Sequence, residues 1–205
     1  GSKRLKFKNL QIFNGKPLFM WSMISAQKSK YIDKIYLSTD SKKINNIASK
    51  NGFKITSLRP KNLSRDKTTS SELILDIFNK INVKFDFFVL LQPTSPLRIV
   101  RDIDGAIETI ISKRKNSLIS VNSKNNRING ALYIQNIKFF RKNKKFKYRN
   151  TVIYRMPAKI SVSLYPAFFS IFLYALSLVI ITTTVFFFIS FKISKILMVP
   201  IRFVS

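Results

Sequence analysis

The sequence contains no cysteine and no histidine. Thiol and imidazole catalysis, disulfide bonds and zinc sites built from the usual ligands are therefore excluded. A catalytic metal ion would have to bind oxygen ligands, which favours Mg²⁺. Glycine is also scarce, with 5 residues, and the sequence contains neither a Walker A loop nor a Gly-x-Gly-x-x-Gly turn. The two commonest glycine-rich phosphate-binding motifs are thereby ruled out.

Acidic residues are few, and all of them lie within the first 108 residues of the chain. They are Asp33, Asp40, Asp66, Glu72, Asp76, Asp86, Asp102, Asp104 and Glu108. From Thr109 to Ser205 the sequence has no acid. A metal site that takes carboxylates from the second half of the chain cannot be built from this sequence.

Basic residues are in large excess, with 37 Lys and Arg and a net charge of +28. Such a charge attracts phosphate esters, nucleic acid and anionic lipid. However, Lys, Asn, Ile and Phe are abundant throughout, which is typical of an AT-rich coding sequence. A nucleic-acid-binding module would show basic and aromatic residues interleaved on one strand face, and this pattern is absent. Nucleic acid is therefore not an expected partner.

The order of predicted elements favours an α/β domain. Apolar periodicity and capping residues predict helices over 17–30, 41–52, 70–81 (capped by Ser70 or Ser71) and 102–113, and strands at "KIYLSTD", "FKITSL", "FDFFVLLQ", "SLISVN" and "GALYI". This alternation predicts a mostly parallel sheet covered on both faces. Polar residues follow the strands at Asp40 and Gln92. The carboxyl ends of such strands form the edge where α/β sheets bind ligands.

A long apolar run follows a basic stretch, Lys138 to Arg149, that has no clear pattern. Residues Ile160 to Phe191 carry no charge. The part from 167 to 191 would span about 37 Å as a helix, more than the roughly 30 Å of a bilayer core. Cations are denser before the run than after it, which would keep the α/β domain in the cytoplasm. We predict a domain over 1–157 and a hydrophobic segment over 158–205 with a possible transmembrane helix at about 167–191.

Several motifs occur in one order along the chain. They are "GSKRL…KN", "NGKPL", "LSTD", "LRP", "LSRDKTTSSE", "LLQPTSPLR" and "NGALYI". Together they resemble the acylneuraminate cytidylyltransferases, also called CMP-sialic acid synthetases, over about residues 1–157. The stretch "LLQPTSPLR" carries most of the resemblance. The enzymes that activate 3-deoxy-octulosonate are similar in fold, but their opening turn usually differs from "GSKR…KN".

The resemblance implies a Rossmann-like, three-layer nucleotidyltransferase fold that is usually dimeric. It implies a reaction that joins CTP to a nine-carbon keto-sugar acid, a nonulosonic acid, and releases pyrophosphate with the help of Mg²⁺. Such CMP-sugars serve lipopolysaccharide or capsule biosynthesis. The anomeric hydroxyl attacks the α-phosphorus in line, a displacement driven mainly by positioning and by neutralisation of phosphate charge.

By match to the family motifs, the resemblance also implies roles for individual residues. Ser2, Arg4, Lys8 and Asn9 would line the triphosphate and cytidine, Arg59 would bind the nucleotide, and Ser71 would meet the cytosine. Gln92 would face the sugar acid, with Arg98 as a carboxylate ligand or a loop anchor, and Asn129 with Gly130 would form a substrate-side turn. Arg4, Lys8 and Gln92 would be catalytic. Alternatively, Pro93 and Pro96 only end the strand, and Ser70 or Ser71 only caps a helix.

Three departures from the family pattern stand out. The family's first strand and one arginine of its opening turn would precede Gly1, so we expect the chain to lack them. Residues 122–128 replace a longer insertion that helps to form the dimer, which puts the dimer contact in doubt. After "YRMP" the family carries acids that bind Mg²⁺, whereas here "AKISVSLYPAFF" follows. The carboxylate ligands of the metal are therefore absent from this sequence.

Two accounts explain the divergence after Val162. In one, the chain is a catalytically inactive, membrane-anchored relative that retains nucleotide or sugar binding. In the other, the reading frame has shifted near Val162, because an AT-rich gene read out of frame yields a similar mixture of Phe, Ile, Ser, Thr and Leu. Under either account we expect a cytidylyltransferase with weak or absent turnover. An enzyme that activates 3-deoxy-octulosonate is the remaining alternative.

Overall fold

A tight hairpin leads into the first helix. The computed structural model describes residues 8–53, 58–65, 67–81, 85–157 and 196–201. Strands β1 (Ile12–Phe13) and β2 (Lys16–Pro17) pair antiparallel. Asn14 and Gly15 join them with φ of 46° and 77°, and positive φ at both positions is what a two-residue type I′ turn requires. Helix α1 (Leu18–Gln27) follows directly, as predicted from the apolar period after Pro17.

The remaining elements alternate along the chain. The strands are β3 (Tyr36–Ser38), β4 (Phe87–Leu91), β5 (Ser117–Asn122), β6 (Ile128–Asn136), β7 (Val152–Met156) and β8 (Ile196–Ile201). The helices are α2 (Lys42–Lys50), α3 (Ser70–Lys80), α4 (Val100–Ser112) and α5 (Ile137–Asn143), and short 3-10 helices lie at Lys8–Leu10 and Lys61–Ser64. The predicted helices and four of the predicted strands are confirmed, whereas α5 and strands β1, β2, β7 and β8 were not predicted. Most of the strand predicted at 53–58 lies outside the described residues.

The large sheet has the strand order β3-β8-β4-β6-β5-β7. The prediction of a mostly parallel sheet was wrong, since β5 and β7 pair parallel but the other neighbouring strands pair antiparallel. A turn over 123–127 joins β5 to β6, and so short a connection permits only antiparallel pairing. Strands β3, β4, β5 and β7 nevertheless run in the same direction. Their carboxyl ends therefore share one edge of the sheet.

Helices cover both faces of this sheet, as predicted. Helices α1, α2 and α4 bury Phe19, Ile44 and Ile107 with other residues on one face, and α3 and α5 form a second core on the other. Strand β4 serves both, because side chains alternate along a strand. Val89 and Leu91 join the first core, and Phe88 and Leu90 join the second. Burying each such side chain contributes about 1.5–3 kcal/mol, so β4 is a central element of the fold.

The helix caps agree only in part with the sequence. Ser41 caps α2, with its hydroxyl accepting from the N–H of Ile44; the sequence had left the cap open between a Ser and an Asp. The cap of α3 is Thr69, one residue before the serines predicted for it. Its hydroxyl accepts from the N–H of Glu72 while the Glu72 carboxylate accepts from the N–H of Thr69, a reciprocal capping box. Ser70 and Ser71 are thereby released from the capping role.

Within the described ranges, no helix combines the length and apolar character needed to cross a membrane. The run predicted to span one, 167–191, lies outside those ranges. Residues 196–201 are described, as strand β8 between β3 and β4. The predicted C-terminal segment thus contributes a strand to the same sheet as the predicted α/β domain.

Candidate functional site

Polar residues collect at the edge where the parallel-running strands end. Asp40 follows β3 and Gln92 follows β4. Strand β6 runs in the opposite direction, so its first residues, including Asn129, lie at that same edge. The topology therefore brings together three positions that the sequence separates widely. This is the edge that the strand order predicted as the ligand-binding side.

Arg59 lies next to the end of β3. Its Nη2 is 3.2 Å from Oδ1 of Asp40, and its Nε donates to Oγ of Ser64 at 3.4 Å. Its backbone N–H donates to the carbonyl of Thr39 at 2.8 Å. The Arg59 side chain is only 2% exposed. A nucleotide phosphate could reach this guanidinium only by displacing Asp40 or by approaching along its small exposed face.

Arg98 is buried behind the loop of residues 92–98. Its guanidinium donates to the carbonyl of Ala131 and to Oγ of Ser22, the latter at 2.6 Å, and lies 3.5 Å from the carbonyl of Gln92. Its own carbonyl accepts from Oγ of Ser25 at 3.0 Å. These contacts tie the loop to α1 and β6. Of the two predicted roles for Arg98, the geometry favours the loop anchor.

The guanidinium of Arg98 stays protonated at neutral pH although it is buried. Desolvation lowers the pKa of Arg98 to about 9, and the nearby Asp102 carboxylate opposes that shift. The side chain is therefore a cation at neutral pH. Its Nε has no hydrogen-bond partner among the described atoms. A buried cation held by carbonyl oxygens fixes backbone positions and is poorly placed to meet a ligand from solvent.

Gln92 and Gly130 are in close contact. Gln92 is 7% exposed, and its carbonyl accepts from Oγ of Ser22 at 3.3 Å. A Cβ built at Gly130 would lie 2.7 Å from Oε1 of Gln92, and Gly130 has φ of +69°. Glycine is the residue that tolerates both the left-handed backbone and the missing space. Gly130 therefore makes room for the amide of Gln92.

In the side-chain amide of Asn129, the oxygen has hydrogen-bond partners and the nitrogen has none among the described atoms. Its Oδ1 accepts from Oγ of Ser120 at 2.6 Å and from the N–H of Ala131 at 3.0 Å. Its amide nitrogen is buried and has no partner among the described atoms. A buried donor without an acceptor is unfavourable by about 1–3 kcal/mol. This nitrogen is thus a buried donor one residue before Gly130, the residue that contacts Gln92.

A cavity of about 250 Å³ lies on the α3 side of this edge. It is lined by Thr69, Ser70, Ser71, Leu90, Gln92, Tyr133 and Phe146. Two residues predicted for different substrates, Ser71 and Gln92, therefore share one cavity. The Ser71 hydroxyl donates to the carbonyl of Lys144 at 2.8 Å, so it is not free of protein contacts.

Sequence reasoning did not identify the two aromatic residues of the cavity. The rings of Tyr133 and Phe146 have centroids 5.0 Å apart, and burial raises the pKa of the Tyr133 hydroxyl. Tyr133 could have been inferred from the alternation within "NGALYI", which places it on the face opposite Leu132. Phe146 lies in a basic stretch without periodicity, so no signal in the sequence marks it.

The predicted phosphate turn is only partly described. Ser2 and Arg4 lie outside the described residues. Lys8 begins the 3-10 helix Lys8–Leu10 and is half-buried, and desolvation lowers its pKa. Asn9 in the same turn is buried. The roles of these four residues toward a triphosphate remain predictions.

The described side chains do not offer a metal site of the kind that the resemblance implies. Across those residues, no three acidic side chains lie close enough together to hold a metal ion. Asp40, at the expected edge, is paired with Arg59. The sequence has no acid after Glu108. The described residues therefore show no cluster of three acids, and no catalytic step is assigned to a protein-bound metal.

Comparison with known proteins identifies the family. A family profile described as cytidylyltransferase matches residues 1–163, most of the chain. The chain belongs to this family. The family predicted from the motifs is therefore confirmed.

Curated relatives extend this result. The chain is 38% identical over 111 residues to the CMP-N,N'-diacetyllegionaminic acid synthase of Legionella pneumophila, covering 53% of this chain and 48% of that protein. It is 33% identical over 137 residues to the pseudaminic acid cytidylyltransferase of Campylobacter jejuni, covering 65% and 59%. This cytidylyltransferase chain thus spans about half the length of the curated relatives it matches.

A solved structure supports the fold. The chain is similar to a CMP-2-keto-3-deoxy-manno-octonic acid synthetase complexed with CTP, with a TM-score of 0.64. The match covers 87% of this chain and 95% of the other, at 12% sequence identity. An identity this low supports a shared fold alone. The cytidylyltransferase chain therefore has the α/β architecture that its motifs implied.

Proposed function

We propose that this protein is a cytidylyltransferase that joins CTP to an acylneuraminate-type nonulosonic acid, releasing the CMP-sugar and pyrophosphate, with impaired turnover. The observation that carries this proposal is the cavity shared by Ser71 and Gln92 at the ligand-binding edge. Two of the relatives are named for legionaminic acid and pseudaminic acid, which supports a nonulosonic acid as the substrate. A cytoplasmic enzyme of lipopolysaccharide or capsule biosynthesis fits this role.

The residues of the cavity would act chiefly by positioning. The new bond forms between the anomeric oxygen of the sugar and the α-phosphorus of CTP, and the bond from that phosphorus to the pyrophosphate oxygen breaks. Gln92, held in place by Arg98 and Gly130, would orient the sugar, and Tyr133 with Phe146 would exclude water around it. Correct placement of the two reactants supplies a large part of the rate enhancement in such displacements.

The proposed loss of turnover follows from too few groups that could neutralise the triphosphate, and not from the shape of the cavity. The triphosphate accumulates negative charge as pyrophosphate leaves, and cations must neutralise it. Lys8 and Arg59 are the described cations assigned to the nucleotide, and Arg59 is already paired with Asp40. With no carboxylate cluster among the described residues to hold a metal ion, we expect slow chemistry after substrate binding.

A second candidate is a binding protein without turnover. The absence of acids after Glu108 favours it, because the sequence cannot supply the family's metal ligands. Such a protein would bind CTP or the sugar acid and release no product.

Homodimer formation is a separate proposal. It is weakened by the tight β5–β6 turn, where relatives are expected to carry a longer insertion.

The test combines binding with turnover. Calorimetry with CTP and a pyrophosphate-release assay with Mg²⁺ and N-acetylneuraminic, legionaminic or pseudaminic acid should show binding with little or no turnover. Gln92→Ala should weaken sugar-acid binding at least about tenfold, the usual effect of losing a buried hydrogen-bonding group. The matched variant Gln27→Ala, at the exposed end of α1, should change nothing.

Each result decides one part of the proposal. Rapid turnover by the unaltered chain would show that the inference from the absent carboxylates is wrong. A folded protein that does not bind CTP at millimolar concentration would exclude the nucleotide site. Binding of CTP without any of the sugar acids would favour a different acceptor, such as 3-deoxy-octulosonate.

A further inference from the structure

A cluster of cations borders the cavity. Lys144, Lys145, Lys147 and Arg149, here named the basic rim, are all exposed. They alternate with Phe146, which lines the cavity itself. These residues belong to the basic stretch Lys138 to Arg149 noted in the sequence, and the proposed function assigns them no role. Its position beside the cavity requires an explanation.

The aromatic residue within the rim is firmly held. The carbonyl of Phe146 accepts from Nε2 of Gln135 and from Oγ of Ser117, both at 3.0 Å. Its ring packs against Tyr133 and, at 5.2 Å between centroids, against Phe140. The backbone on either side of Phe146 is therefore fixed. The lysines next to it cannot move far from the cavity.

The first half of the rim is held by its carbonyl groups. The Lys144 carbonyl accepts from Oγ of Ser71, and the Lys145 carbonyl accepts from the hydroxyl of Tyr148 at 2.5 Å. The Tyr148 ring in turn packs on Phe139, with centroids 4.8 Å apart. All of these contacts involve backbone atoms or aromatic rings. The lysine side chains are exposed, and the backbone that carries them lies beside the cavity-lining residues Ser71 and Phe146.

Little negative charge opposes the rim. No acidic residue is among the described residues that line the cavity. The closest in sequence to the cavity lining is Glu72, whose carboxylate is bound to the N–H and hydroxyl of Thr69. From Thr109 onward the sequence has no acid. Exposed charges act over a Debye length of about 8–10 Å at ordinary salt, so we expect the basic rim to make the field beside the cavity positive.

We propose that the basic rim captures anionic substrates and guides them into the cavity. The chemistry it recognises is a phosphate or carboxylate group on a small molecule, and it does not depend on a base or sugar ring. This role rests on the proposed function, which supplies two such ligands, CTP and a sugar acid. A fixed set of cations at a cleft raises the local concentration and association rate of anions.

The test removes three rim charges and compares them with three others. Lys144, Lys145 and Lys147 are changed together to Gln, and the matched control changes the exposed residues Lys42, Lys43 and Lys50 of α2 to Gln. Helix α2 packs on the opposite face of the sheet. Both variants lose the same charge, so a general effect of net charge would be equal in the two.

Four ligands separate the possible causes in calorimetry at low ionic strength. CTP and N-acetylneuraminic acid should bind about fivefold to tenfold more weakly to the rim variant than to the control, an effect expected for several exposed charges. Neutral cytidine should bind equally to both. The difference should vanish near 1 M salt, where the Debye length is about 3 Å. A single-stranded oligonucleotide serves as a polymeric anion.

The outcomes distinguish this proposal from the function on which it rests. If CTP fails to bind the unaltered protein, the proposed function fails first. If CTP binds but the rim and control variants weaken it equally, the rim has no special role. Equal loss of cytidine would mean that the substitutions distort the cavity. Loss confined to the oligonucleotide would assign the surface to a polymer and overturn the proposal.

Discussion

Two single residues, Arg98 and Gly130, hold the backbone and the side chain of Gln92 at the edge of the candidate site. Arg98 joins the 92–98 loop to α1 and β6 through its guanidinium. Gly130 leaves space for the Gln92 amide. The sequence marked both positions, through "LLQPTSPLR" and "NGALYI". It could not show how they act, because a contact between residues far apart in sequence depends on the folded sheet.

Replacement of Arg98 tests whether it is an anchor. Arg98→Ala removes donors from the carbonyl of Ala131 and from Ser22, and leaves a cavity in the interior. We expect a loss of about 3 kcal/mol in the free energy of unfolding, measured in urea. The exposed residue Arg101 is the control, and Arg101→Ala should stay within about 0.5 kcal/mol. Unchanged stability with lost sugar-acid binding would instead make Arg98 a substrate ligand.

Gly130 can be tested against a glycine with the same backbone strain. Gly52 has φ of +79°, and a Cβ added there would meet no described atom within 4 Å, whereas at Gly130 that carbon would meet Gln92. Each glycine-to-alanine change should destabilise the protein by about 1–2 kcal/mol, because an L-residue is strained there. Only Gly130→Ala should also weaken ligand binding, by displacing the amide of Gln92. Equal binding by the two variants would contradict the proposed contact.

At the scale of elements, α3 links stability to the cavity. Its N-terminus carries the capping box of Thr69 and Glu72, and the same turn contributes Ser70 and Ser71 to the cavity wall. The hydrogen bonds from the Thr69 N–H and hydroxyl lower the pKa of the Glu72 carboxyl below its ordinary value of 4.5. The cap therefore works best with that carboxylate ionised.

The capping box predicts a pH-dependent stability. Because the folded pKa of Glu72 is lowered, its contribution is fully present above about pH 4.5 and is lost as the pH falls through the folded value. The stability gap between the unaltered protein and Glu72→Ala should therefore narrow in acid, as followed by urea midpoints. Thr69→Ala should cost about 1 kcal/mol at neutral pH, and the control Thr69→Ser much less. A gap that does not change with pH would show that the ionised carboxylate is not part of the cap.

The elements differ in how far the sequence predicts them. Apolar periods or continuous apolar runs mark helices α1, α2, α3 and α4 and strands β3 to β6, so their positions were predicted to within a few residues. Helix α5 was missed because seven residues rich in Lys and Phe show no clean period. Its stability comes from the Asn136 cap and from burial of Phe140 against Phe88. Such tertiary contacts leave no local signal.

At the scale of the whole molecule, two strands change the character of the sheet. Strands β6 and β8 run against the other four and separate them, so that β5 and β7 are the pair of full strands that lie side by side in parallel. The carboxyl ends still meet at one edge, and the candidate site remains there. The distribution of charge also depends on the whole fold. The sequence shows an excess of cations, but only folding places some of them, the basic rim, beside a cavity.

The sequence by itself determined the family, the α/β class, the order of most elements and the edge at which Gln92 lies. These depend on motifs, composition and periodicity, which are local properties of the chain. Only the tertiary structure decided that the neighbouring strands are mostly antiparallel, that Arg98 is buried, and that Tyr133 and Phe146 line the cavity. Each of these depends on packing or hydrogen bonding between segments far apart in sequence, and a linear pattern does not encode such distances.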